Sequence, residues 1–375
     1  MSIETLSEIK IERLLNGQPI LSQSTQWWDS GSTFNSAAVL ITPTPENLPA
    51  IHALLGPDVE PREIVALHYR ARPKSDPGYP WPRSFIGLSV HEPDLTLIKR
   101  FSDPVLAPGD SPTDIDYLGV EDPRITYFDG AWWMFYCGVM PVDRPGTLET
   151  CLGSVCIAKS HDLVNWVKYG AVRGTGDGFA EGDRPAKVGN KDAALFPHRI
   201  AGKVVKLHRP MSGPAENWGT SIAVADNVEG PFHDLGVVRG AQRSEHYQVS
   251  WVGAGAVPIP ISDGRYLSIE HTGNLIEGDS RKYVLDALLY DFNQWDASQP
   301  HTLVAARIDD FMRPETDLEL NGPFPESVAN VVFACGCYLH EGWLYIIYGG
   351  GDSYLLAARV VFTDLVQALE RRENA

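Results

Sequence analysis

Two adjacent acids, Glu121 and Asp122, stand in the segment GVEDPRIT, just ahead of a run of β-branched and aromatic residues. Asn35, Asp192 and Asp352 occupy comparable edges of other short apolar runs, as do Arg70, Arg209 and His271. Any one of these has an ordinary explanation, because Asn and Asp cap hairpin turns by bonding their own backbone. Their recurrence at equivalent edges points to a fold that gathers them. A pocket rich in carboxylates suits glycosidic bond cleavage. That chemistry needs a carboxylic acid to protonate the leaving oxygen and a nucleophile on the opposite face of the sugar. Trp27, Trp28 and Trp81 are candidates to stack on sugar rings, although core or rim packing explains each one singly.

Cations concentrate in one segment, EGDRPAKVGNKDAALFPHRIAGKVVKLHRP, which holds Arg184, Lys187, Lys191, Arg199, Lys203, Lys206 and Arg209. A local basic cluster in a chain of net charge −17 invites an anion. Lys203 and Lys206 read as solvent-facing, and Arg199 as part of a hairpin. Lys191 and Arg209 flank the strand edges and are the better candidates. Other chemistries lack their signatures. The GAG at 253–255 has neither the downstream glycine nor the helix that dinucleotide binding needs. There is no His-Glu-x-x-His, no Cys/His spacing for a metal and no serine nucleophile elbow, so no metal and no organic cofactor is expected. Cys137, Cys151, Cys156, Cys335 and Cys337 are odd in number and do not match a zinc site. Cys335 and Cys337 alternate within an apolar run and are expected on one strand face, as reduced core thiols.

The elements that must position these residues repeat along the chain. A short apolar strand, a turn with Gly or Asp and an aromatic or β-branched strand read as a hairpin. The copies are FNSAAVLI with IVALHYRA, DPRITYFDGAWWMFYCGV, DAALFPHRIAGKVVKLHRP, GAGAVPIPISDGRYLSIEHT and VVFACGCYLHEGWLYIIYGG. Outer strands SVCIAKS, SIAVADN, YVLDALLYD and YLLAARVV follow most of them. Five copies predict an all-β chain folded as a five-bladed β-propeller. A β-sandwich is the alternative. One catalytic domain over 1–375 is expected, with terminal extensions at about 1–25 and 362–375. SEIKIERLLN reads as a short outer helix, 42–63 as a loop with a helical turn, and TDLVQALERRENA as a strand turning into a terminal helix. The acidic charge argues against a nucleic-acid partner. No run of about 18 apolar residues suggests a membrane span, and the N-terminus lacks a secretory pattern. A cytoplasmic location is the expectation. The oligomeric state, homo-oligomer included, is left open.

GVEDPRIT, NKDAALFP, LHRP, VGAGAVPI and YGGGDS, in this order between Phe34 and Val361, resemble the blocks of glycoside hydrolase family 130, the β-mannoside phosphorylases. The resemblance implies a five-bladed propeller and inverting cleavage of small β-mannosides, with inorganic phosphate as co-substrate. It makes Asp122 the proton donor, acting through a hydroxyl of the bound mannose. It places Asn35, Arg70 and Asp352 in the mannose subsite, with Glu121 and Arg124 of the same block beside the substrate. Lys191, Asp192, Arg209 and His271 line the same cavity, with Lys191, Arg209 and His271 assigned to phosphate. One block departs from the pattern. Glu270-His271-Thr272 stands where many phosphorylases have Tyr-His-Gly. An ionised Glu in a low-dielectric phosphate site would repel the anion. Glu270, or Glu245, is instead a candidate base for water, as in family hydrolases of β-1,2-mannosides. Side chains alternate along YLSIEHT, so only one of Glu270 and His271 is expected to face the cavity. Phosphorolysis to α-mannose 1-phosphate is the first reading. Hydrolysis and a non-catalytic sugar-binding propeller are the alternatives.

Overall fold

The computed structural model describes residues 9–142, 150–181, 185–241, 247–276, 280–323 and 328–374. Its strands form five separate, mainly antiparallel sheets. The first blade runs Ser32–Ile41, Ile64–Arg72, Phe85–His91 and Leu97–Arg100. The second runs Gly119–Phe128, Ala131–Pro141, Cys151–Ser160 and Val167–Ala171. The third runs Asn190–Leu195, Val204–Pro210, Thr220–Ala225 and Phe232–Arg239, with Gly174–Thr175 added in parallel at its outer edge. The fourth runs Val249–Ala254, Arg265–Leu275, Arg281–Asp291 and Val304–Met312. The fifth runs Val332–His340, Trp343–Gly350 and Tyr354–Val361. The chain is a five-bladed β-propeller.

Each blade is covered on both faces by its neighbours, which is why its strands read as continuous apolar runs instead of alternating ones. Phe85–His91 is buried at every position, and Ala131–Val139 likewise. Apolar clusters fill the gaps between blades. Leu267, Ile269, Leu285 and Leu289 of the fourth blade pack with Val332, Leu344 and Ile346 of the fifth.

The N-terminal segment differs from the expected outer helix. Glu12 and Arg13 pair antiparallel with Arg359 and Ala358, adding the outermost strand to the fifth blade. The first part of the chain thus closes the last blade, covering an edge that would otherwise be exposed. Arg13 donates to the buried Glu319 at 2.8 Å and to Glu315 at 2.8 Å. The 42–63 loop carries the helix Leu48–Leu55, and the chain's last described helix is Phe362–Glu373.

The innermost strands carry a shared irregularity. Ladder register shifts at Asn35, at Asp122, at Asp192 and at Cys335. Each marks a bulge, where one extra residue is left unpaired and its side chain is re-aimed. Asn35, Asp122 and Asp192 have φ of 42°, 51° and 55°. This left-handed region is strained for most side chains, and Asn and Asp visit it more readily than other non-glycine residues. The bulge also breaks the expected pairing of two cysteines. Cys335 packs with Val331 and Phe333, whereas Cys337 joins the core of the fifth blade.

Candidate active site

The three left-handed bulges sit at the same end of the propeller, and their side chains line one cavity. Asn35 Nδ2 donates to Asp122 Oδ1 at 2.8 Å, from the first blade to the second. Arg70 is paired with Phe34, next to the bulge at Asn35. It donates to Asp122 at 3.1 Å, Glu121 at 2.6 Å and Ser84 at 2.9 Å. Arg209 holds the matching position in the third blade, paired with Lys191 beside the bulge at Asp192. It lies 3.1 Å from Asp192 and 3.3 Å from His271 Nε2. Lys191 stands 3.9 Å from Glu121. These groups surround a cavity of about 210 Å³ lined by Asn35, Arg70, Glu121, Asp122, Lys191, Asp192, Arg209 and Asp352, with Arg281, Tyr283, Val328, Val331 and Phe333. Two grooves of about 500 Å³ lie elsewhere, along Ile9–Arg13 and along Ile200–Phe292. Neither contains any of these groups.

Asp352 enters from a different place, the turn between the last two strands of the fifth blade, with φ of 47°. Burial pushes its carboxyl up to about 6, against the pull of Arg70 and Arg72. Burial pushes Asp122 up as well, but Arg70, Arg124 and the Asn35 hydrogen bond outweigh it and hold this carboxyl at about 2. Two acids in one cavity therefore differ because one is bonded directly by a guanidinium and an amide. Burial lowers His271 to about 3, so its imidazole is neutral. Its ring lies 4.4 Å from that of Phe333. Gly253 makes this arrangement possible. A Cβ there would lie 2.4 Å from Asp192 Oδ2 and 2.7 Å from the His271 ring.

Several expected positions need correction. Glu270 does not line the cavity. It is fully buried between the third and fourth blades, where it accepts from Thr220 at 3.0 Å, Arg239 at 3.2 Å and the Tyr290 hydroxyl. His271, one residue along and on the other face, does not line the cavity either: it is fully buried and lies behind Arg209, 3.3 Å from it. Glu270 is thus held in an ion pair with Arg239, away from the cavity lining. Glu245 and Arg184 lie outside the described residues. Arg124 is not on the cavity surface either. It is 2% exposed and its guanidinium is spent on protein acceptors: the carbonyls of Asp122, Ala254 and Gly255 at 2.9–3.1 Å and Asp192 at 3.3 Å. It ties the inner strands of three blades together and anchors the backbone of Asp122. Lys206, expected in solvent, is fully buried between the rings of Phe179 and Phe232. Trp28 is buried, Trp27 packs edge-on against Phe85, and Trp81 lies in a small cluster with Tyr79 and Tyr117. None of the three lines the cavity.

Arg281, Tyr283 and Phe333 were missed. Phe333 stands near the start of an innermost strand, as Asn35 does, whereas Arg281 and Tyr283 begin the third strand of the fourth blade; neither apolar nor outer-strand residues carry a polar signal at the repeat edges. Among the described residues no group of three or more His, Cys, Asp or Glu side chains is arranged to hold a metal. No helix among them is long and apolar enough to cross a membrane.

Fold and site together define a carbohydrate-cleaving propeller enzyme. Residues 85–371 match the family model described as beta-1,4-mannooligosaccharide phosphorylase. The chain belongs to glycoside hydrolase family 130. It is 27% identical to a 1,2-beta-oligomannan phosphorylase of Thermoanaerobacter sp. (strain X514), covering 95% of this chain and 99% of that protein. It is 30% identical to a beta-1,2-mannobiose phosphorylase of the same organism, over 72% of this chain and 75% of that one. Among solved structures, the beta-1,2-mannobiose phosphorylase of Listeria innocua in complex with beta-1,2-mannobiose superposes with a TM-score of 0.67 at 20% identity, covering 96% of this chain and 99% of that one.

Proposed function

We propose that this enzyme cleaves β-1,2-linked manno-oligosaccharides by inverting phosphorolysis, releasing α-mannose 1-phosphate. The observation that carries the reading is the mixed lining of one cavity. Asp122, Asn35 and Asp352 offer sugar hydroxyls acceptors and a donor. Lys191 and Arg209, beside Glu121 and Asp192 and with the neutral His271 behind Arg209, supply the positive charge an anion needs. Withdrawal of Glu270 into an ion pair with Arg239 removes the like charge that would oppose phosphate. The names of both Thermoanaerobacter relatives support the linkage.

In this reading a phosphate oxygen attacks the anomeric carbon from the α face. The bond to the leaving sugar oxygen breaks, and that oxygen takes a proton. A hydrogen phosphate dianion brings one proton into the site and the acceptor sugar leaves with one, so the proton count closes over a turnover. Asp122 is ionised in the empty cavity. Its proton is therefore gained in the ternary complex, where the bound anion offsets the field of Arg70 and Arg124. A hydroxyl of the bound mannose relays that proton to the leaving oxygen. The decisive assay is incubation with β-1,2-mannobiose with and without phosphate. Mannose 1-phosphate should form in stoichiometric amount only when phosphate is present; equal release of free mannose in both arms would establish hydrolysis instead.

Asp352 gives this reading a pH signature. Its carboxyl titrates at about 6 and accepts sugar hydroxyls best when ionised. Above that pH the group is charged and the subsite is complete; below it the group is protonated. The kcat/KM for the mannoside should therefore fall about tenfold per unit as pH drops below about 6. In Asp352→Asn the plateau should be lower and this acid limb absent. A limb that persists unchanged in the variant would assign it to another group.

A further inference from the structure

Each acid around the cavity has a cationic neighbour, and one lining cation is left over from these pairs. Glu121 is matched by Arg70 and Lys191, Asp122 by Arg70, and Asp192 by Arg124 and Arg209. Asp352 lies in the field of Arg70 and Arg72. Arg281 remains. It begins the third strand of the fourth blade, lines the cavity mouth, and has no carboxylate partner among the described residues. It also shares the cavity lining with Arg209 and Lys191. Tyr283, two residues along the same strand, feels both Arg209 and Arg281 after burial has raised its phenol. Within the cavity three further polar atoms, Arg209 Nε, Asn35 Oδ1 and Asp192 Oδ2, are buried without a hydrogen-bond partner, the last of them in an ion pair with Arg209. A guanidinium at the mouth with no carboxylate partner among the described residues and an unused Nε–H deeper in the cavity are what an oxyanion would satisfy from two directions.

We propose that Arg281 is a specificity-determining residue that contacts the incoming phosphate and, with Arg209 and Tyr283, favours phosphate over water as the nucleophile. This rests on the phosphorolytic reading above. An arginine suits the task because its planar fork binds phosphate oxygens in pairs and is always charged. Its position on a strand end at the surface means that replacement leaves the packed blades intact.

The test is steady-state kinetics of wild type, Arg281→Gln and Arg281→Lys on β-1,2-mannobiose, varying inorganic phosphate and mannobiose independently, with thermal melting as a fold control. In Arg281→Gln the KM for phosphate should rise about tenfold, equivalent to about 1.4 kcal/mol. The KM for mannobiose should stay within about twofold by the same relation, and the share of product released as free mannose should increase. Arg281→Lys should recover part of the phosphate affinity. An unchanged phosphate KM in Arg281→Gln, or equal rises for phosphate and mannobiose, overturns the assignment while leaving phosphorolysis standing. A wild type whose rate ignores phosphate overturns both.

Discussion

Replacing Asp122 by Asn is expected to lower kcat on β-1,2-mannobiose by about 10²- to 10⁴-fold, the usual range for loss of a general acid. The substitution keeps shape and keeps a residue type that tolerates the left-handed backbone at this bulge, where φ is 51°. It removes the one property the reaction uses, a proton that is held and released. Asn35 and Arg70 both donate to the oxygen that would be lost or replaced. The variant amide must therefore turn its carbonyl toward them, and the fold should survive with a melting temperature close to wild type. Binding of mannobiose, read by calorimetry, should weaken far less than kcat. A variant that retains a near-wild-type rate would remove Asp122 from the proton path. A mannoside with a good leaving group, such as a nitrophenyl mannoside, sharpens the test. Its oxygen needs little protonation, so the deficit of Asp122→Asn should shrink on it if Asp122 is the acid.

The second large effect is expected at Arg209. Arg209→Met should raise the KM for phosphate by about 100-fold, the scale of losing a charge-assisted, two-pronged contact. Arg209 is largely buried and stands between Asp192 and His271. Its loss leaves Asp192 with Arg124 and a neutral imidazole, so some loss of stability accompanies the kinetic effect. Arg209→Lys separates the two contributions. It restores a positive charge beside Asp192 but not the planar fork, and should recover stability more fully than phosphate affinity. The check is phosphate KM against melting temperature across both variants. If phosphate KM tracks stability alone, with Lys restoring both together, Arg209 is a structural cation and the anion site lies elsewhere.

The propeller was legible because it is written locally. Each blade repeats a hairpin whose strands are apolar on both faces, and each repeat edge shows its own turn residues. The five hairpins read from the sequence correspond to the first two long strands of the five blades. The closing strand was not legible. Glu12 and Arg13 lie in a stretch whose helical spacing is as good as its strand pattern, and they become a strand only because the open edge of Tyr354–Val361 is there to receive them.

The site divides in the same way. Asn35, Arg70, Asp122, Lys191, Asp192, Arg209 and Asp352 were named from repeat edges and motif blocks, and all seven line one cavity. By itself the sequence determined which residue types stand at the bulges, since Asn and Asp tolerate positive φ, and that Glu270 and His271 face opposite ways, since strands alternate. It could not say which of the two faces the cavity. That depends on where Arg239, the last residue of another blade's outer strand, comes to rest. A buried carboxylate follows its partner, because an unpaired charge inside a protein is too costly to keep. Only the tertiary structure also decided that Arg124 is turned inward to bond three carbonyls while Arg281, at the mouth, has no carboxylate partner among the described residues. Both are arginines on blade strands, and the difference between a structural clasp and an open anion contact is set by which acceptors the neighbouring blades bring within reach.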